Sequence, residues 1–358
     1  MKIKKIDYAP VHIKLKEPYT IAYETISETT NIFMRLELDN GIVGYGASAP
    51  DLEVTGETPN QVLEDVEEII KPILKNEDPL RYSFHLSKLK EILHNKPATL
   101  ALADLALFDL TGKICRQPVY KIFGGFKKKM LTSITIGILP VDETIKRAVS
   151  FVEDGFKVLK IKGGRNVLED IEKVLKVRER IGKNIRIRFD ANQGYSISDT
   201  FKFFEGIKDS NIEILEQPTP KNKPDLLGQF TDNLGVLIMA DESLLTLKDV
   251  FGLVKNKLVD TINIKLMKVG GIHEAFHINS VAKSANVKCM IGCMDESAYS
   301  IAAGLHFALS RPNVLYADLD GHLDLVDDPA AGAVKLIDGF LLPTDKPGIG
   351  FDIPDKYF

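Results

Sequence analysis

The sequence predicts an α/β chain in which a barrel of parallel strands follows an α+β cap. The first part of the chain combines a hairpin with helices. The middle repeats a unit of apolar strand, polar turn and amphipathic helix about every 25 residues. The last part is rich in glycine and proline and lacks helical periodicity. We therefore expect a cap over residues 1–125, a barrel over 126–329 and a tail over 330–358 that packs back on the cap.

The cap is predicted to open with a hairpin. Apolar residues alternate over residues 32–38, a turn follows at 39–41, and a second apolar run covers 42–45. Residues 58–75 carry apolar side chains at helical spacing, and residues 98–115 are rich in alanine and leucine. Both segments are predicted to form helices packed on the sheet that contains the hairpin.

The barrel is predicted from eight short apolar segments. The helix after the first of them places Ile145, Val149 and Val152 on one face and ends at Gly155, as expected of an outer helix. An open doubly wound sheet is the alternative, but it normally has a glycine-rich phosphate turn after its first strand, and residues 134–137 offer none. The predicted strands span residues 132–137, 158–162, 185–190, 212–216, 236–241, 261–265, 288–292 and 315–320.

Composition narrows the classes of function. The chain has 358 residues, of which 27% are charged, and a net charge of −4, so it lacks the basic stripe of a nucleic-acid-binding protein. Residues 1–15 offer no secretory signal, and no window reaches the ~18 apolar residues of a membrane span. Cys115, Cys289 and Cys293 lack the spacing of a zinc site or a disulfide framework. We expect a cytoplasmic protein that binds neither nucleic acid nor membrane.

Three successive predicted strands end in a carboxylate: Asp190, Glu216 and Asp241. The active site of a barrel of parallel strands lies at the carboxyl ends of the strands, so these side chains should meet. Three neighbouring anions repel one another unless a cation joins them, and ligands that are all oxygen favour a hard divalent ion, Mg²⁺ first. Capping of the next helix is the alternative for each acid, and it explains three consecutive strands less well.

Lysines end two further strands. Lys160 and Lys162 are two residues apart and face the same side, while Lys265 ends a strand roughly across the barrel. Neighbouring ammonium groups, Mg²⁺ and partial desolvation would lower the pKa of a lysine toward that of a base. Bases on opposite faces of one carbon permit inversion, and a metal on the substrate carboxylate would stabilise the enediolate. Surface charge is the alternative, which we prefer for Lys268.

These strand ends resemble the enolase superfamily, and more narrowly its muconate-lactonizing subgroup. The resemblance covers nearly the whole chain and implies a modified (β/α)7β barrel with an enolase N-terminal-like cap. It implies that Lys162 and Lys265 form the acid/base pair and that Thr135 and Lys160 contact the substrate. The three strand-end carboxylates become the Mg²⁺ ligands. The matching segments are residues 160–162, 190–193, 216–218, 240–243 and 263–268.

The last two barrel strands distinguish members of this subgroup. Residues 292–297 resemble the Gly-Cys-Met-x-Glu-Ser form of dipeptide epimerases. Asp318 and Asp320 resemble the Asp-x-Asp pair that holds the free α-ammonium of a dipeptide in those enzymes, with helix capping as the alternative. The resemblance implies that Cys293, Asp295 and this pair contact the dipeptide. Cys293 is not expected to be a nucleophile because its motif contains no histidine.

Acidic residues in the cap loops suggest which dipeptides are used. Glu24, and Asp51 with Glu53, would line the side-chain pockets if these loops close over the cavity as in the family. Lysine or arginine side chains would then be preferred and Ala-Glu repelled. Taken singly, each could equally be a solvated loop acid.

The sequence thus predicts a Mg²⁺-dependent dipeptide epimerase that inverts the α carbon of the C-terminal residue. Other enzymes of the subgroup are the alternatives: N-acylamino acid racemases, o-succinylbenzoate synthases and cycloisomerases. A non-catalytic binding protein of the same fold is a more remote one. The sequence leaves the oligomeric state open, including a homo-oligomer.

Overall fold

The computed structural model describes residues 1–20 and 25–358. Its N-terminal part is a three-stranded antiparallel sheet of β1 (Ile3–Thr20), β2 (Thr25–Leu38) and β3 (Val43–Ser48). The predicted hairpin is confirmed, although its second strand runs to Ser48. Gly41 takes a φ of 83° in the turn, which suits a residue without a Cβ.

The cap helices cover one face of this sheet. The predicted helix over residues 58–75 is confirmed and begins at Thr58, whose hydroxyl accepts from the Gln61 amide in a capping box. Gly46 of β3 allows the longest cap helix to approach closely, because a Cβ there would overlap the carbonyl oxygen of Leu102. The helices are α1 (Pro59–Asp65), the π-helical turn Val66–Ile70, α2 (Lys71–Leu74), the 3-10 turn Pro79–Arg81, α3 (Tyr82–Ile92), α4 (Pro97–Ile114) and α5 (Val119–Ile122).

The predicted barrel is confirmed. Eight parallel strands lie side by side in chain order, and a bridge between Thr132 and Ala317 joins the first strand region to the last. A short strand, β4 (Met130–Leu131), precedes them outside the barrel. The barrel strands are β5 (Ile134–Ile136), β6 (Val158–Lys162), β7 (Arg186–Asp190), β8 (Ile214–Glu216), β9 (Leu237–Ala240), β10 (Thr261–Lys265), β11 (Lys288–Gly292) and β12 (Val314–Asp318).

Helices connect each barrel strand to the next, which gives the (β/α)7β order in the described chain. Several of these helices begin at a residue whose side chain caps the first turn. The hydroxyls of Ser196 and Thr246, for example, accept hydrogen bonds from the backbone amides of Asp199 and Asp249. No helix in the described ranges is long and apolar enough to cross a membrane. The outer helices are α6 (Val141–Glu153), α7 (Val167–Ile181), α8 (Ile197–Ile207) with the 3-10 turn Lys208–Ser210, α9 (Asp225–Asn233), α10 (Leu247–Lys255), α11 (Leu266–Val269), α12 (Ile272–Ser284) and α13 (Ala298–Ser310).

The tail contacts both β4, the short strand before the barrel, and the cap. It forms a hairpin of β13 (Val334–Ile337) and β14 (Phe340–Pro343), and β14 pairs with β4; a 3-10 turn, Asp355–Tyr357, ends the chain's regular structure. Beyond the hairpin, the Ile349 amide donates to the buried carboxylate of Asp109 on α4, at 2.7 Å. The domain boundaries at 125/126 and 329/330 stay predictions.

Candidate active site

The three strand-end carboxylates meet at the carboxyl ends of β7, β8 and β9. Asp190 and Glu216 are register partners on adjacent strands, and Asp241 directly follows β9. One oxygen atom from each lies within 4.8 Å of the others, and all three side chains are buried. Parallel register places these residues at one height, which is the arrangement expected from the sequence.

In two of these acids, one carboxylate oxygen accepts a hydrogen bond from the protein. The backbone amide of Asn192 donates to Asp190 Oδ1 at 2.9 Å, and the side chain of Asn263 on β10 donates to Glu216 Oε1 at 2.8 Å. The other oxygens, Asp190 Oδ2 and Glu216 Oε2, are buried and accept no well-aligned hydrogen bond from the described residues. Each acid therefore presents one oxygen to the centre of the cluster.

Lys268 is the residue that sequence reasoning placed wrongly. It is buried, not a surface charge, and its ammonium donates to Asp241 Oδ1 and, at 2.6 Å, to the Asp241 carbonyl. The short helix α11 follows β10 directly and places the ammonium of Lys268 beside Asp241. Its place in a strand-end motif, three residues after Lys265, was the signal in the sequence.

Lys160 lies on the inner face of the barrel among carboxylates. Its ammonium is 3.1 Å from Asp190 Oδ2, 2.9 Å from Glu216 Oε2 and 2.9 Å from Asp318 Oδ2. Ser133 donates to the second oxygen of Asp318 at 2.6 Å. Asp318 therefore shares a cationic partner with Asp190 and Glu216, a contact that the sequence did not predict.

Lys162 and Lys265 end strands that are four apart in the eight-stranded order, and so face each other across the barrel. Lys162 Nζ is 3.7 Å from Asp190 Oδ2, and Lys265 Nζ is 2.8 Å from Asp241 Oδ2. Burial disfavours the charged form of Lys265, but contact with Asp241 outweighs it and raises its pKa above the ordinary value. The protein's own groups thus shift this pKa opposite to the direction expected from the sequence.

The electrostatics of the acid cluster fit a divalent cation. Burial, reinforced by the charges of Asp190 and Asp241, raises the pKa of Glu216 to about 8, although Lys160 opposes the shift. Carboxylates that repel one another, with inward oxygens lacking aligned donors, form the hard all-oxygen set that Mg²⁺ favours. The residues present therefore fit Mg²⁺, held by the three strand-end acids.

Asp320 lies just beyond β12 with neutral donors around it. Its Oδ2 accepts from the Thr135 amide at 2.6 Å, and the Cys293 thiol donates to its Oδ1 at 3.8 Å. Burial and the neighbouring Asp318 raise the pKa of Asp320 to about 7. Burial and Asp320 raise the pKa of Cys293 well above its usual value, which favours the protonated thiol.

Two adjoining cavities meet at Lys162, Lys265, Cys293 and Asp295, which line both. The larger, of roughly 340 Å³, extends under the cap between β2 and the loop after β3. The smaller, of roughly 140 Å³, extends toward β5, β12 and α6. A substrate between the two lysines would therefore have one part in each cavity.

The sequence-predicted rim residues distribute between these cavities. Asp51 lines the cap-side cavity, where its Oδ1 accepts from the Val54 amide at 2.8 Å. The carbonyl of Asp295 accepts from the Thr29 hydroxyl at 2.9 Å, which ties the loop after β11 to the cap sheet. The smaller cavity is lined by Thr135, Lys160, Asp318 and Asp320. Glu53 lines a third, separate cavity, and Glu24 lies outside the described residues.

Comparison with known proteins identifies the family. Residues 4–124 match the mandelate racemase/muconate lactonizing enzyme N-terminal domain, and residues 143–357 match the enolase C-terminal domain-like family. The chain belongs to the enolase superfamily.

Within this superfamily, several similar proteins are dipeptide epimerases. The chain is 42% identical to an L-Lys-D/L-Arg epimerase of Desulforapulum autotrophicum, over 98% of this chain and 99% of the relative. Two solved structures of dipeptide epimerases superpose closely, each covering 98% of this chain and 99% of the other. That of Enterococcus faecalis, with Mg and L-Leu-L-Tyr, has a TM-score of 0.95 at 37% identity. That of Methylococcus capsulatus, with Mg and L-Arg-D-Lys, has a TM-score of 0.94 at 36% identity.

Proposed function

We propose that this protein is a Mg²⁺-dependent dipeptide epimerase that inverts the α carbon of the C-terminal residue. The observation that carries the proposal is the placement of Lys162 and Lys265 on opposite walls of one cavity, with the acid cluster between them. Cytoplasmic location stays a prediction from the sequence.

In this proposal the two lysines move one proton each. One takes the α proton from one face of the carbon as a neutral amine, and the other donates a proton to the opposite face as an ammonium. The roles exchange when the other epimer is the substrate. Bound at Asp190, Glu216 and Asp241, Mg²⁺ would supply positive charge to the substrate carboxylate as negative charge develops there.

The environment of Asp320 supports a substrate with a free ammonium group. Asp318 has an ion pair with Lys160, whereas the hydrogen bonds to Asp320 from described residues come from the neutral Thr135 amide and Cys293 thiol. We propose that Asp320 supplies most of the charge that attracts the α-ammonium of a dipeptide. An N-acyl substrate carries no cation for this position.

We propose a preference for cationic dipeptides on the basis of the cap-side rim. Asp51 and Asp295 line the larger cavity together with residues of β2 and the loop after β3. Carboxylates near a buried pocket favour a lysine or arginine side chain and disfavour a glutamate side chain. The similarity to an L-Lys-D/L-Arg epimerase supports the same preference.

A library of L,L-dipeptides incubated with the enzyme and Mg²⁺ in deuterated water tests the function. Mass spectrometry should show one deuteron in the C-terminal residue, with Lys and Arg dipeptides reacting fastest and Ala-Glu slowly. Asp320→Asn should lower kcat/KM for dipeptides while leaving any activity on N-succinyl amino acids unchanged. Exchange of N-succinyl amino acids without exchange of any dipeptide would instead support an N-acylamino acid racemase.

A further inference from the structure

We propose that Asn263 and Lys268 are positioning residues that make the metal site selective for Mg²⁺ over Ca²⁺. They do so by occupying one oxygen of Glu216 and one of Asp241, so that each carboxylate has a single oxygen left for the metal. The inference rests on the metal site of the proposed function and concerns ion selectivity, which that function leaves open.

Lys268 is anchored independently of the carboxylate that it holds. Besides Asp241 Oδ1, its ammonium donates to the Asp241 carbonyl at 2.6 Å and to the Asn263 carbonyl at 3.5 Å. These backbone acceptors fix the position of the ammonium beside Asp241. Asp241 Oδ2 is 2.8 Å from the ammonium of Lys265, and Lys265 and Lys268 both line the larger cavity. Asp241 therefore cannot turn both oxygens toward the metal without losing a buried ion pair.

Asn263 acts on Glu216 in the same manner. Its side chain is fully buried, and its amide nitrogen donates to Glu216 Oε1 at 2.8 Å. Gly292, the register partner of Lys265 on β11, makes room for this amide, since a Cβ at Gly292 would overlap Asn263 Oδ1. The amide cannot usefully turn over, because its oxygen would then face the carboxylate.

The third acid, Asp190, is restricted by the backbone. The Asn192 amide donates to its Oδ1 at 2.9 Å, in a turn where Asn192 has a φ of 42°. The remaining oxygens of the three acids all face the lysines: Lys160 is close to Asp190 Oδ2 and Glu216 Oε2, and Lys265 is close to Asp241 Oδ2. One oxygen from each acid lies within 4.8 Å of the others, so the three acids can present single oxygens to one metal ion.

Single oxygens suit a small octahedral ion. Mg²⁺ takes about six ligands at about 2.1 Å and retains water, whereas Ca²⁺ takes six to eight at about 2.4 Å and often binds carboxylates through both oxygens. Three singly coordinating carboxylates leave Mg²⁺ positions for substrate and water, but give Ca²⁺ too few protein oxygens. Freeing Glu216 Oε1 or Asp241 Oδ1 should therefore benefit Ca²⁺ more than Mg²⁺.

The test is the ratio of the dissociation constants for Ca²⁺ and Mg²⁺, measured by calorimetry on the metal-stripped full chain. The loss of the Lys268 charge should strengthen the binding of both ions, and this common effect largely cancels in the ratio. We expect the ratio to fall about tenfold in Lys268→Met and in Asn263→Ala, the size of effect typical of groups that orient metal ligands. Lys268→Arg, which keeps charged donors, should restore most of the selectivity.

Lys173→Met is the matched control. Lys173 is as buried as Lys268 and pairs with a carboxylate, Glu169, at 2.9 Å, but on α7 and away from the acid cluster. Its replacement should lower the free energy of unfolding and leave the ratio unchanged.

A ratio within twofold of wild type in Asn263→Ala would overturn the proposal, and this variant decides it alone if Lys268→Met does not fold. A wild-type chain that binds neither ion would overturn both this proposal and the proposed function. A chain that shows the selectivity change but exchanges no dipeptide would overturn only the proposed function.

Discussion

Replacing Lys265 with alanine should slow inversion by several orders of magnitude while the protein remains folded. The side chain is 14% exposed at the end of β10, and it pairs with Asp241. Asp241 keeps its ion pair with Lys268 after the substitution, so no buried charge is left uncompensated and the free energy of unfolding should fall by only about 1 kcal/mol. The loss of a general acid/base should slow epimerisation about 10²- to 10⁴-fold, or about 3–5 kcal/mol of barrier.

The assay follows each epimer separately in deuterated water by proton NMR and chiral chromatography. Lys162 remains on the opposite wall, so the epimer whose α proton faces it should still exchange within about tenfold of the wild-type rate, without inverting. The other epimer should lose exchange. Lys162→Ala should show the reverse pattern, and the exposed Lys248→Ala should behave as wild type.

Two results would refute the two-base reasoning. One is inversion by Lys265→Ala at a rate close to that of wild type. The other is equal loss of exchange from both epimers in a folded protein, which would show that a single group serves both faces.

Three further predictions concern the metal, pH and packing. Saturation with Mg²⁺ at about 100 times Kd should stabilise the wild type by about 2.7 kcal/mol, and calorimetric melting should show no such rise for Glu216→Gln. Burial lowers the pKa of His306 from 6.5 to about 4, so the unfolded chain binds the extra proton between these values and stability falls as pH drops from 6.5 to 4. The free energy of unfolding should fall by about 3 kcal/mol across this range. Urea unfolding at several pH values should show a weaker dependence of this free energy on pH for His306→Gln. An unchanged pH dependence in the variant would contradict the role given to His306. Gly46→Ala should cost about 1–3 kcal/mol in urea unfolding because its Cβ would overlap α4. Gly252→Ala, in open space on α10, should be neutral or stabilising by up to about 1 kcal/mol; equal effects would refute the packing argument.

The barrel and its carboxylates were predictable because their signals are local in the sequence. Each strand is a short apolar run with a polar residue at its end, and parallel strands place such ends on one rim. That rule was sufficient to predict that Asp190 and Glu216 lie close together. Counting the strands was sufficient to predict that Lys162 and Lys265 face each other across the barrel. The hairpin around Gly41 likewise followed from turn chemistry.

The partners of those side chains were not predictable in this way. The sequence shows that Lys268 follows Lys265 by three residues, but not that α11 returns its ammonium to Asp241. The spacing in the sequence treats Asp318 and Asp320 as a pair, yet in the structure Lys160, far away in the chain, forms its ion pair with Asp318 and not with Asp320. The direction in which the protein's own groups shift the pKa of Lys265 depends on its contact with Asp241, which the sequence does not show.

The sequence by itself therefore determined the fold class and which residues reach the rim of the barrel, since periodicity and strand ends are properties of short segments. Only the tertiary structure decided which oxygen of each carboxylate is held and which is left for a metal. Hydrogen bonds and ion pairs depend on distances of a few ångströms between distant parts of the chain, and Asn263 and Lys268 acquire their significance only when β8, β9 and β10 lie side by side.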